Sequence, residues 1–132
     1  MDLDLIQLAV PTLAKGLWLT AVLTLAAVAV GFNLGLALAV MRLSKNRFVS
    51  GFAKGYSTVF RGTPLLVQLF LFYYGLGQIA FVRDNPVLWW IVGDGVHCAV
   101  MALALNTAAY TSEILRGGLL SIPGGLVEAA QA

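Results

Sequence analysis

The chain has 132 residues, 60% of them hydrophobic and only 11% charged, with a net charge of +2 at neutral pH. Soluble domains average about 25% charged residues, so too few polar side chains exist here to cover a water-facing core. One cysteine, Cys98, excludes an internal disulfide framework and a cysteine-based metal cluster.

The start, Met1-Asp2-Leu3-Asp4, lacks the basic region of a cleavable signal peptide. Residues 1–15 read as an extracytoplasmic N-terminus, and membrane insertion uses the first helix itself. No charged residue occurs from Gly16 to Met41, which predicts a first membrane helix over about 17–41. At about 1.5 Å per residue that run reaches roughly 39 Å, against a hydrocarbon core of about 30 Å. Thr20, Thr24, Ala27, Gly31, Gly35 and Ala39 recur at helical spacing. Within that stripe Gly31 and Gly35 form a small-xxx-small pair that lets two backbones approach closely. The stripe reads as a helix-packing face, with no catalytic content.

Residues 42–61 carry Arg42, Lys45, Arg47, Lys54 and Arg61 without an acidic residue. The positive-inside rule places this segment in the cytoplasm and the N-terminus outside. Reporter fusions at Lys45 and Asp84 are expected to report opposite sides of the membrane; the same side for both would refute the topology. Phe48, Phe52, Tyr56 and Phe60, spaced by four, make this cytoplasmic loop amphipathic, and a short helix lying in the headgroup region fits the pattern, aromatics inward and cations toward anionic lipid. A solvated basic linker is the plainer alternative, because Gly51 and Gly55 weaken a helix.

A second uncharged run from Gly62 to Val82 predicts a membrane helix over about 63–82. Thr63 is the expected N-cap and Pro64 the first helical residue, with Arg61 a cytoplasmic anchor just outside. Gln68, inside the bilayer, needs a polar partner or a polar cavity. The third helix, about 89–112 and starting at Trp89 or Gly95, is the least apolar: it carries His97, Asn106, Thr107, Tyr110 and Thr111. A helix of that composition is shielded by neighbours or lines a pathway, and Gln68, Asn106 and Tyr110 are the candidate pathway-lining residues. Trp89 and Trp90 suit the outer interface. His97 reads as a hydrogen-bonded interfacial residue, since no companion ligand flanks it. Arg42, Arg61 and Arg116 serve as cytoplasmic anchors, and Glu113 and Arg116 are spaced to pair. Gly117-Gly118 and Pro123-Gly124-Gly125 then break the chain before a new helix start at about Leu126.

No phosphate-binding glycine loop, HExxH or serine nucleophile beside a histidine occurs; Ser112 and Ser121 stand alone. The basic residues belong to a membrane-proximal segment, so nucleic acid is not an expected partner. No cofactor, metal site or catalytic residue is expected.

Phe60-Arg61-Gly62-Thr63-Pro64-Leu65-Leu66-Val67-Gln68-Leu69-Phe70 resembles the second-helix signature of polar amino-acid permeases in binding-protein-dependent ABC transporters. Residues Leu105 to Gly118 resemble the same family's approach to its coupling loop, and Glu128-Ala129-Ala130 resembles the start of its EAA motif. The resemblance implies an all-α membrane protein carrying three transmembrane helices of a five-helix type-I ABC permease domain, over residues 16–132. Residues 113–132 would then begin the cytoplasmic coupling loop. It implies a non-catalytic subunit in a bacterial inner membrane, importing polar amino acids, with a lean toward basic ones or opines. The implied partners are a cytoplasmic ATPase dimer, a second permease subunit, an extracytoplasmic solute-binding protein and membrane lipid. Glu128, Ala129 and Ala130 would dock the ATPase. The family's motif and its membrane helices continue past the last residue here, so the chain is expected to be a fragment or a truncated product. Two other readings are a small membrane scaffold binding through residues 116–132 and an ion channel using Asp94, His97 and Glu113. The channel is disfavoured because those groups lie at opposite ends of one span.

Overall fold

The computed structural model of the chain describes residues 3–125, all in helices, turns or short connections, with no strand among the described residues. Burying backbone polar groups in lipid requires their hydrogen bonds to close within each segment, which a helix does. The long elements are α1 (Leu3–Arg42) and α6 (Gly95–Leu120). Between them lie α2 (Arg47–Gly62), α3 (Leu65–Phe70), a π-helical turn Leu71–Gly75, a 3-10 turn Leu76–Gln78, α4 (Ala80–Asp84) and α5 (Pro86–Val92).

α1 begins well before the expected residue 17, running through Pro11 and Lys15. Proline there removes one backbone donor, a small loss in so long a helix. In-span polar groups close on their own helix: Thr20 Oγ1 donates to Gly16 O at 2.9 Å and Asn33 Nδ2 to Ala29 O at 2.7 Å. α1 and α6 pack in parallel, Gly31 against Ala104 and Thr107, Gly35 against Ala108 and Thr111. Ala27, Gly31, Gly35 and Ala39 are buried along this seam, whereas Thr20 and Thr24 of the same stripe are exposed.

Parallel neighbours joined by residues 43–94 require the chain to travel back between them. Leu65–Gln78 makes that return antiparallel to α6: Gln68 bonds Asn106, and Tyr73 lies beside Gly95. Two helices are long and apolar enough to cross a membrane, and a third crossing exists if Arg47–Gly62 and Leu65–Gln78 count as one span bent by 104°. The expected single helix over 63–82 is therefore corrected to a broken one. Gly75 and Gly77 are poor helix formers, the ladder loosens to π geometry at Leu71–Gly75, and Ile79 is extended (φ −77°, ψ 119°).

Within segment 42–61 the helix α2 starts at Arg47 because Asn46 caps it, its Oδ1 accepting from the Phe48 N–H at 2.9 Å. Thr63 does not cap α3. It ends α2, its hydroxyl donating to Val59 O at 2.9 Å, and Pro64 holds the cap position. Of the two expected starts of the third span, Gly95 rather than Trp89 begins the long helix: Gly93 closes α5, and Asp94 caps α6 by accepting from the Val96 and His97 N–H groups at 2.9 and 3.0 Å. The His97 bond foremost, with the Val96 bond and the nearby His97 ring, holds the Asp94 carboxyl below its ordinary pKa against the opposing effect of desolvation. α6 also continues through Gly117-Gly118, because the Ser121 N–H still reaches Gly117 O at 3.1 Å and Gly118 O at 3.2 Å.

Candidate functional site

The polar side chains gather at one end of the bundle, where α1, α2, α3 and α6 converge. Their deepest layer lies on α2. Tyr56 OH donates to Leu105 O at 2.7 Å, and its ring stacks on Phe60 with centroids 4.4 Å apart. Ser57 and Ser112, both buried, share a 2.9 Å hydrogen bond. Ser112 donates its only proton to Ala109 O at 2.8 Å, so the Ser57 hydroxyl is the donor between them.

Gln68 is 5% exposed. Its Nε2 faces Phe60 O at 2.8 Å, Thr63 O at 3.1 Å and Thr63 Oγ1 at 2.7 Å, three acceptors for two protons. Asn106 Nδ2 donates to Gln68 Oε1 at 3.2 Å and to Phe60 O at 3.3 Å. Two amides thus tie the Arg61-Gly62-Thr63-Pro64 turn to α6 and satisfy backbone carbonyls that the bend frees. Of the residues expected along a pathway, Gln68 and Asn106 spend these hydrogen bonds inside the chain; Tyr110 is exposed. Replacing Gln68 by leucine is expected to cost about 1–3 kcal/mol, since it leaves freed carbonyls without a donor. A lowered unfolding midpoint in detergent would show it; an unchanged midpoint would refute the role.

Above this layer the three anchoring arginines meet one carboxylate. Glu113, with a side chain 18% exposed, faces Arg42 Nη2 at 2.8 Å, Arg116 Nη2 at 3.1 Å and Arg61 Nη1 at 3.9 Å. Arg116 Nε adds a second donor at 3.3 Å. The Arg61 guanidinium also sits 5.5 Å from the Tyr110 ring centroid. One carboxylate therefore links the end of α1, the end of α2 and the last turns of α6, the helix that leads to residues 126–132. The expected Glu113–Arg116 pair is present, but sequence spacing missed Arg42 and Arg61. The available signal was that each is the charged residue bordering a predicted span at the same membrane face.

At the other end, His97 Nδ1 donates to Trp90 O at 2.9 Å, and its ring lies 4.1 Å from the Trp90 ring. Glu128, Ala129 and Ala130 lie outside the described residues. No group of three His, Cys, Asp or Glu side chains able to hold a metal occurs among the described residues.

Comparison with known proteins bears on the family and the fold. The chain is 48% identical over all 132 residues to a nopaline transport system permease protein of Agrobacterium fabrum, covering 55% of that relative. It is 41% identical to the histidine/lysine/arginine/ornithine transport system permease protein of Salmonella typhimurium, over 89% of this chain and 50% of that one. The chain thus spans about half the length of the curated relatives it matches. A crystal structure of an amino acid ABC transporter with histidines superposes with a TM-score of 0.79 at 37% identity, over 99% of this chain and 56% of that one. Residues 27–132 match the family model of the binding-protein-dependent transport system inner membrane component. With parallel and antiparallel membrane helices tied at one end by a carboxylate–arginine hub, this multi-pass chain belongs to that family.

Proposed function

We propose that the chain forms part of the permease subunit of an ATP-driven importer for polar amino acids or opines in a bacterial inner membrane. The Glu113 hub carries the mechanical side of this reading. It joins α1 and α2 to the last turns of α6, the helix that leads in sequence to Glu128, Ala129 and Ala130, so a movement that reaches α6 is passed to two other helices. The nopaline permease, similar over the full chain, supports the substrate class. On this reading a separate ATPase dimer hydrolyses ATP, a second permease subunit completes the pathway, and an extracytoplasmic solute-binding protein delivers the solute. Tyr110 and not Gln68 is the side chain offered to that pathway, because only Tyr110 is exposed.

The test expresses the intact transport system and measures uptake of labelled nopaline, octopine, arginine and histidine. Uptake of at least one is expected, together with co-purification of an ATPase. Glu128→Lys is expected to abolish both by placing a cation where the family's docking helix carries an anion. Retained ATPase binding in that variant would overturn the assigned dock, and absence of uptake for every solute would overturn the substrate class.

A further inference from the structure

We infer that α2 lies in the membrane plane as a docking surface for anionic phospholipid, read by Arg47 and Lys54. This inference requires a membrane-spanning chain but no particular transported solute. Three observations carry it.

The first is direction. Leu65–Gln78 runs antiparallel to α6, along the direction in which the bundle crosses the bilayer, and α2 meets it at 104°. α2 is therefore nearly perpendicular to the spans. It sits at the level of Leu105 to Glu113 on α6, where the arginine hub marks the bundle's basic end.

The second is that α2 has three distinct faces. Successive residues turn by about 100° around a helix, which separates three sets of side chains. Ala53 and Ser57 are buried against the bundle. Phe48 at 90% and Phe52 at 66% exposed, with Val59 beside them, form an apolar face turned away from the bundle among the described residues. Arg47 and Lys54 form a cationic face on the remaining side, both exposed. A helix with one side on protein, one apolar and one cationic fits the boundary between acyl chains and phosphates.

The third is charge balance. No ion pair among the described residues uses Arg47 or Lys54, and the hub itself sets three guanidinium groups against one carboxylate. The surface is thus left with cations that a lipid phosphate would pair, and a zwitterionic lipid would pair them less well. A second protein clasping the same aromatic face would need its own acidic partners there; that occupant is an outcome of the test.

A photoreactive residue is placed at Phe48 and, separately, at Phe52 in the intact membrane complex. The complex is reconstituted in vesicles holding equal amounts of phosphatidylglycerol and phosphatidylcholine. Irradiation is expected to yield phospholipid adducts enriched in phosphatidylglycerol, and Arg47→Gln with Lys54→Gln is expected to reduce that enrichment roughly tenfold. Both substitutions lie on an exposed face, so an unchanged unfolding midpoint should accompany the loss. Adducts with protein in place of lipid would overturn the inference, as would lipid adducts whose headgroup ratio ignores the double substitution. Lipid capture is read without any uptake measurement, so a failed transport assignment leaves this result interpretable.

Discussion

Replacing Glu113 by alanine is expected to destabilise the folded chain by about 2–4 kcal/mol, near the cost of breaking a largely buried ion pair. The reason is asymmetry. Glu113 is 18% exposed and Arg42, its nearest partner at 2.8 Å, has a side chain only 12% exposed. Removing the carboxylate leaves three like charges from three helices facing one another with nothing between them, and repulsion then adds to the lost attraction. Arg42→Gln is expected to cost less, because Arg61 and Arg116 remain to pair the carboxylate. A double-mutant cycle of Glu113→Gln and Arg42→Gln should be non-additive, the pair of changes costing less than the sum of the two. Unfolding midpoints in detergent measure all three variants, and strict additivity would show that the hub is not a unit. Uptake by the intact system should fall further than stability does in Glu113→Gln, which keeps the shape but loses the charge link between α1, α2 and α6.

The double substitution Gly31→Leu with Gly35→Leu is expected to separate α1 from α6. A Cβ at Gly31 would fall 2.8 Å from both Ala104 O and Thr107 Cβ, and one at Gly35 would fall 2.7 Å from Thr111 Cβ. Ala104 O is backbone, which no rotamer change moves aside. Overpacking of this kind costs typically about 1–3 kcal/mol per site, which exceeds the gain of about 1 kcal/mol for replacing a helical glycine. Separation would also carry Arg42 away from Glu113, so the hub fails with the seam. Loss of the protein from membranes, or a midpoint lowered by both changes together, is the expected readout. Gly16→Ala supplies the control, since a Cβ there meets nothing within 4 Å, so stability should rise by up to about 1 kcal/mol and not fall. Equal effects at Gly16 and Gly31 would mean that the glycines act through helix propensity and not through close approach.

The fold was legible in the sequence wherever one-dimensional pattern decided it. Charge-free runs between clustered cations mark helices that must satisfy their backbones in lipid, and the stripe from Ala27 to Ala39 marks where a neighbour would approach. Asn46 ahead of Arg47 is a cap signal that fixes where the short helix expected in the basic segment begins. Boundaries were read less well for local reasons: α6 starts late because Asp94 is a better cap than the tryptophans before it, and ends late because two glycines within a helix do not stop it.

By itself the sequence determined that this is an all-α membrane chain with a basic end and a small-residue packing face, since hydropathy and charge act on each residue whatever its neighbours are. Only the tertiary structure decided that Arg42, Arg61 and Arg116 share Glu113, that Gln68 and Asn106 close a broken turn, and that α2 lies across the bundle. Those outcomes depend on a 104° bend and on the register of two parallel helices. Both are set by contacts between residues 38 to 76 positions apart, a separation over which hydrophobic periodicity carries no information.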